Sequence, residues 1–229
     1  MEKYARLEKV IGKDKVNDLG QKCVLVIGCG GVGGYVCEAL ARSNIGRLII
    51  VDFDVVDITN INRQIIALES TIGQKKVDVL EKRLKDINPN LDVVKIDSFI
   101  GVDNIEILFK DKLDYLVDAC DSIKTKLALI DECLKRKIPF VSSMGTGNKL
   151  DPTKLDVVDI RKTVNDPLAR IIRKYVKDKK IKDKVMVLSS TEVPVKTGER
   201  TPGSTAFVPG AAGLILASFV VKNLIKEKE

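Results

Sequence analysis

Up to residue 150, short apolar runs alternate with stretches whose apolar positions recur at helical spacing. Cys23–Ile27 is a continuous apolar run, followed by Val36, Leu40 and Ile45 at helical spacing with Ala39 and Ala41 between them, then a second apolar run at 48–51. The stretch 73–87 is amphipathic through Val77, Leu80, Leu84 and Ile87, and Asn88-Pro89-Asn90 ends it. Further strands are predicted at 91–96, 115–117 and 138–142, with a short helix at 102–109. A longer helix is predicted at 123–135, carrying Ile123, Leu127, Ile130 and Leu134 on one face. Strands apolar on both faces and separated by helices predict an α/β fold, Rossmann-like and doubly wound around a mainly parallel sheet.

The two ends are less regular. Residues 1–19 read as a helix with Leu7, Val10 and Ile11 on one side and a stop at Gly20. Beyond 150, strands are predicted at 155–160 and 185–188, a helix at 166–176, a mobile loop at 197–204 and a closing helix at 210–225. The chain therefore reads as one domain over 1–229. An N-terminal helix spans 1–20, a nucleotide-binding core 21–150 and an irregular extension facing substrate or partner 151–229. The uncharged run 206–221 contains Pro209, Gly210 and Gly213 and is shorter than the roughly twenty residues of a membrane span. It reads as a buried helix, and no membrane association is expected.

Composition narrows the chemistry. With no histidine among 229 residues, Ser-His-Asp triads, Cys-His pairs and His-based zinc sites are excluded. Five cysteines (Cys23, Cys29, Cys37, Cys120 and Cys133) form no C-x-x-C pair, so no zinc is expected. Their odd number and the lack of a signal peptide point to the reducing cytoplasm. The net charge of +7 fits an anionic partner such as nucleic acid.

The glycines at Gly28, Gly30 and Gly33 follow the first predicted strand in G-x-G-x-x-G spacing, and Asp52 lies about twenty residues on, where a ribose-binding acid belongs. Glycine lets backbone N–H groups approach phosphate at a helix N-terminus. Asn60, Asn62, Arg63 and Gln64 cluster after the second strand, either as a hydrogen-bonded connection or as ligand groups. Lys75 and Lys76 open the next helix, where cations oppose the helix dipole and make sense if one meets phosphate. Asp118 and Asp121 end the fourth strand and suit a ligand or Mg²⁺, while Asp121-Ser122 equally suits a helix N-cap. The basic stretch 161–184, which includes Arg170, Arg173, Lys174 and Lys177, is either a solvated face or a surface for nucleic-acid phosphates.

Together GCGGVGG, VDFDVVDITNINRQ, TIGQKK and DACDS resemble the E1-like adenylating superfamily, over nearly the whole chain. Within it INPN, IPFVSSMGTG, LDPTKLDVVDI, KTVNDPLAR, VLSSTEVPV and FVPGAAG are most similar to the tRNA threonylcarbamoyladenosine dehydratases. The resemblance implies ATP with Mg²⁺ as cofactors and cyclising dehydration of the modified adenosine through a carboxyl adenylate. It implies Gly28, Gly30, Gly31 and Gly33 at the phosphates, and Asp52 with Asp54 in the nucleotide site. Asn60, Arg63 and Gln64 match N-x-x-R-Q, Lys76 (or Lys75) meets phosphate, and Asp121 positions Mg²⁺. Arg6 resembles an arginine that reaches the opposite subunit's ATP, which implies a homodimer; tRNA and a sulfurtransferase-type protein are the other implied partners. Relatives' zinc cysteines are absent, and no cysteine follows Cys133 to form a thioester. The competing readings are activation of a sulfur-carrier protein's C-terminus, an NAD-dependent dehydrogenase and a non-catalytic nucleotide-binding scaffold.

Overall fold

The computed structural model describes residues 2–199 and 201–226. Among them, strands β1 (Cys23–Ile27), β2 (Arg47–Val51), β3 (Asp92–Ile96), β4 (Tyr115–Asp118), β5 (Phe140–Ser143), β6 (Leu155–Asp159) and β7 (Met186–Ser190) form one sheet. Their order is β3-β2-β1-β4-β5-β7-β6. Every pairing is parallel except that of β6 with β7. The predicted doubly wound α/β architecture is present, and its one antiparallel strand lies in the irregular C-terminal part.

Helices cover both faces. Val24 and Val26 of β1 face α3 (Gly33–Arg42), α4 (Lys76–Ile87) and α7 (Phe207–Leu224), packing with Leu40, Leu80 and Leu216. Leu25 and Ile27 face the other way, toward α5 (Ile123–Arg136) and α6 (Pro167–Asp178), with Ile130 and Ile172. All five β1 residues are buried, which is why that run carries no polar alternation. The first crossover from β1 leads through α3 to β2, whereas its other neighbour, β4, leads through α5 to β5 on the opposite face. A crevice therefore opens at the carboxyl ends of β1 and β4, where such sheets bind ligands.

Several expectations are corrected. The helix expected over 1–19 is two helices, α1 (Ala5–Ile11) and α2 (Lys13–Leu19), because the chain turns at Gly12, with φ of 89°. No single apolar stripe survives that turn: Val10 is 80% exposed, and burial falls on Tyr4, Val16 and Leu19. The short helix predicted at 102–109 is present, as the 3-10 helix Val102–Phe109. The last helix starts at Phe207 and takes Pro209 into its first turn, where a missing N–H costs nothing. Met1, within the predicted first helix, and Arg200, within the predicted 197–204 loop, lie outside the described residues. By length and hydropathy α7 passes for a membrane span, but its buried residues Val208, Ala212, Leu216 and Val220 pack into the core.

Candidate nucleotide site

The turn after β1 creates the floor of the crevice. Gly28 adopts φ of 88°, and its N–H donates to Val51 O at 2.8 Å, tying the turn to β2. A Cβ on Gly28 would sit 2.6 Å from Ala119 O, and one on Gly33 would sit 1.7 Å from Gly28 O. Those two glycines are required by the packing of turn, helix and β4. Gly30 differs: a Cβ there would meet nothing closer than Gln64 Nε2 at 3.7 Å. Its missing side chain keeps the cavity floor open rather than relieving an internal clash.

The cavity encloses about 360 Å³, within the range of small-molecule sites. Its lining includes Gly28, Gly30, Gly31, Asp52, Asp54, Asn60, Arg63, Gln64, Lys76 and Asp121. Gly33 stands behind the floor, packed on Gly28, and is not part of the lining. Asp52 accepts the Cys29 N–H at 2.7 Å through one oxygen and the Asp54 N–H at 2.9 Å through the other, so the acid is fixed by the loops it joins. Asn60 is buried and accepts the Asp57 N–H at 3.2 Å, closing a capping box around the 3-10 turn Ile58–Asn60. That turn presents Arg63, whose Nη1 donates to Thr59 O at 2.8 Å and to Asn62 Oδ1 at 2.9 Å. Its Nε and Nη2 have no protein acceptor among the described residues. Gln64 is only 7% exposed, and its Oε1 is buried without a hydrogen-bond partner. A buried amide oxygen facing a cavity in that state is costly unless a ligand or water completes it.

The two lysines point in different directions. Lys76 is 5% exposed, lines the cavity and reaches Asp54 at 2.7 Å. Lys75 points outward and pairs with Asp97. Asp121 sits at the exposed lip, its carboxylate without hydrogen bond or ion pair among the described residues. The helix-capping part next to it is taken by Ser122, whose Oγ accepts the Thr125 N–H at 3.3 Å.

Other lining residues were not singled out in the sequence. Phe53 and Phe99 meet edge to face, ring centroids 5.2 Å apart, at the cavity mouth. Thr146 comes from the loop after β5, Ser204 from the approach to α7 and Pro209 from its first turn. The phenylalanines are brought together by register, since Val51 of β2 pairs with Ile96 of β3 and each aromatic follows within three residues. An apolar residue between two acids, as in Asp52-Phe53-Asp54, was the available signal.

Cys120 also lines the cavity, but burial, reinforced by Asp118, pushes its thiol well above the ordinary range. Cys23 and Cys133 are pushed up by burial to about 11 and about 12, and Cys29 and Cys37 are raised the same way. None of the five presents a thiolate at neutral pH, so none is an activated nucleophile.

Two predicted regions lie outside the cavity. Arg6 is exposed on α1, beyond the opposite end of the sheet from the cavity, where neighbouring Lys3 donates to Asn88 at 2.7 Å. On α6, Arg170, Lys174 and Lys177 are exposed and carry no ion pair among the described residues. Arg173 departs from the expected phosphate-facing set: its Nη1 donates to Thr163 O at 2.7 Å and Thr163 Oγ1 at 2.6 Å, fixing the start of the α6 segment. Among the described residues no cluster of three acid or thiol groups forms a metal cage.

The ThiF family model matches residues 4–229. The tRNA threonylcarbamoyladenosine dehydratase of Bacillus subtilis (strain 168) is 43% identical over 246 residues, covering 100% of this chain and 97% of the relative. That of Haemophilus influenzae is 35% identical over 248 residues, covering 99% and 95%. The Escherichia coli tRNA N6-threonylcarbamoyladenosine dehydratase, solved with ATP and with AMP, superposes with a TM-score of 0.92 at 34% identity, covering 98% of this chain and 94% of that one.

Proposed function

Because this chain belongs to the ThiF family, we propose that it is an ATP-dependent adenylating enzyme that dehydrates and cyclises N6-threonylcarbamoyladenosine in tRNA. The observation carrying this reading is the cavity at the β1–β4 crevice, which gathers an open glycine floor, a ribose-side acid, two cations and an unpaired carboxylate. It is supported by full-length similarity to dehydratases and by the likeness to a relative solved with ATP and AMP. The whole chain acts as one adenylation unit, with 21–150 holding the nucleotide and 151–229 facing the substrate.

In this reading the backbone around Gly30 and Gly31 meets the phosphates, and Asp52 receives the ribose hydroxyls. Phe53 and Phe99 flank the base. Asp54 holds Lys76, and Asn60 supports the turn that offers Arg63 and Gln64 to the triphosphate. Asp121 has no hydrogen-bond or ion-pair partner among the described residues and fits an Mg²⁺ that takes most of its oxygens from phosphate and water. When bound, the metal neutralises phosphate charge.

The carboxylate of the threonyl group attacks the α-phosphorus of ATP, the bond to the β-phosphate oxygen breaks, and pyrophosphate leaves. Arg63 and Lys76 stabilise the charge that develops on the equatorial oxygens. A heteroatom of the carbamoyl group then attacks the acyl carbon. The bond to the adenylate oxygen breaks, AMP leaves with the electron pair and a proton is released to solvent. The oxygen removed from the carboxylate departs on AMP. Because this second step is intramolecular, positioning supplies much of its rate.

Arg170, Lys174 and Lys177 offer phosphate contacts to tRNA. A second copy of the chain would bring its Arg6 to the cavity. The exposed apolar residues Val55, Ile58, Leu68 and Ile72, in the segment between the lining residues Asp54 and Lys76, support such a homodimer. Five unpaired thiols support a reducing, cytoplasmic setting. A sulfurtransferase-type partner rests on the family resemblance alone. The test is AMP formation from ATP with tRNA carrying the modified adenosine: one AMP per modified nucleoside is expected. AMP formation or pyrophosphate exchange that requires a sulfur-carrier protein and ignores tRNA would overturn the reading.

A further inference from the structure

The largest charged side chain buried without trace of solvent is Lys126, 0% exposed in the first turn of α5. Its Nζ donates to Asp118 Oδ2 at 3.0 Å, Ser142 Oγ at 3.2 Å and Ser143 O at 2.9 Å. Asp118 is equally buried; Oδ2 also accepts the Ser142 hydroxyl at 2.5 Å, while Oδ1 accepts the Cys120 N–H at 3.1 Å. All three ammonium donors are thus satisfied, and the carboxylate holds the backbone of the turn that carries Asp121.

Such a pair is a poor investment in stability, since a well-packed apolar pair of similar volume serves as well or better. What it does is geometric. It joins the carboxyl ends of β4 and β5 to the first turns of α5, directly beneath two walls of the cavity. The Asp118–Ser122 turn presents Asp121 on one wall, and the segment leaving Ser143 presents Thr146 on the other.

We infer that Lys126 and Asp118 form a positioning pair that sets Asp121 relative to the opposite wall for the adenylating step. This inference rests on the proposed reading of the cavity. The pair touches neither nucleotide nor substrate, so it acts on rate through Asp121 and leaves nucleotide binding to Asp52, Lys76 and the glycine floor.

The test is a double-mutant cycle with the neutral variant Asp118→Asn/Lys126→Met, alone and combined with Asp121→Ala. ATP affinity, melting temperature and kcat for AMP formation on modified tRNA are measured. Alone, the neutral variant is expected to melt within a few degrees of the parent and bind ATP within about threefold, while kcat falls about 100-fold, as small misplacements do. In the Asp121→Ala background the same change costs less than about threefold, because the pair acts through that residue. Should the neutral variant fold poorly, Ser142→Ala, which removes the two hydrogen bonds of that hydroxyl and keeps the ion pair, is expected to lower kcat with unchanged ATP affinity. Equal losses with and without Asp121, or a fall in ATP affinity matching the fall in rate, would overturn the pair's role while leaving the enzyme reading intact. A parent protein inactive on modified tRNA would overturn both.

Discussion

Lys76 reaches the Asp54 carboxylate at 2.7 Å from the first turn of α4, with its own side chain almost wholly buried. A cation at a helix N-terminus opposes the helix dipole, and Asp54 offsets that cost while aiming the ammonium along the cavity wall. Lys76→Met is therefore expected to keep the fold and lower kcat/KM for ATP about 100- to 1000-fold, as loss of one transition-state cation does. Lys75→Met is expected to change it less than about threefold, because its pair with Asp97 is a solvent-screened surface contact away from the cavity. Steady-state kinetics of the two variants side by side check this.

The glycines divide into two kinds. Gly33→Ala places a methyl 1.7 Å from Gly28 O and is expected to destabilise the protein by about 3 kcal/mol or more. Gly30→Ala meets nothing closer than 3.7 Å and is expected to melt like the parent while losing ATP affinity at least about tenfold. Thermal melts with and without ATP separate the two.

The exposed Asp121 carboxylate has no hydrogen bond or ion pair among the described residues, so Asp121→Asn is expected to change stability by no more than about 0.5 kcal/mol, as surface substitutions do. Adenylation should fall at least about 100-fold. Chelation of Mg²⁺ by EDTA should abolish AMP formation in the parent and add nothing measurable in the variant. Calorimetry and AMP release check both statements.

On α6 the exposed cations and Arg173 are expected to behave differently. Lys174→Gln and Lys177→Gln should weaken tRNA binding uniformly across tRNA sequences. Each should reduce the slope of log affinity against log salt by about one. Arg173→Ala should instead cost about 1–3 kcal/mol of stability, because it leaves Thr163 O without its donor. Filter binding over a salt series, paired with denaturant melts, distinguishes them.

The sequence pattern carried most of this architecture because its signals are local. Parallel strands buried on both faces appear as continuous apolar runs; Gly28, Asp52 and Asp121 follow the ends of β1, β2 and β4, and Lys76 opens α4. Once the strands align, those ends converge without further instruction. Relationships that depend on register were not legible. Phe53 meets Phe99 only because Val51 pairs with Ile96, and Asp118 meets Lys126 and Ser142 only once β4, β5 and α5 pack. Lys126 sits within a pattern whose charged positions otherwise read as solvent-facing. Val10 failed for the opposite reason: an apolar residue at helical spacing implies burial only where the helix continues, and this one ends at Gly12.

The central claim is that the chain removes water from a modified adenosine in tRNA by activating a carboxylate with ATP. Its most direct test follows the oxygen. tRNA whose threonylcarbamoyladenosine carries ¹⁸O in the carboxylate is incubated with the protein, ATP and Mg²⁺, and nucleosides and nucleotides are examined by mass spectrometry after mild digestion. The account predicts a nucleoside lighter by one labelled water, formed only with ATP, with one labelled oxygen in AMP and none in pyrophosphate. An unchanged nucleoside, or a dehydrated one with the label in free phosphate or water and none in AMP, would contradict it.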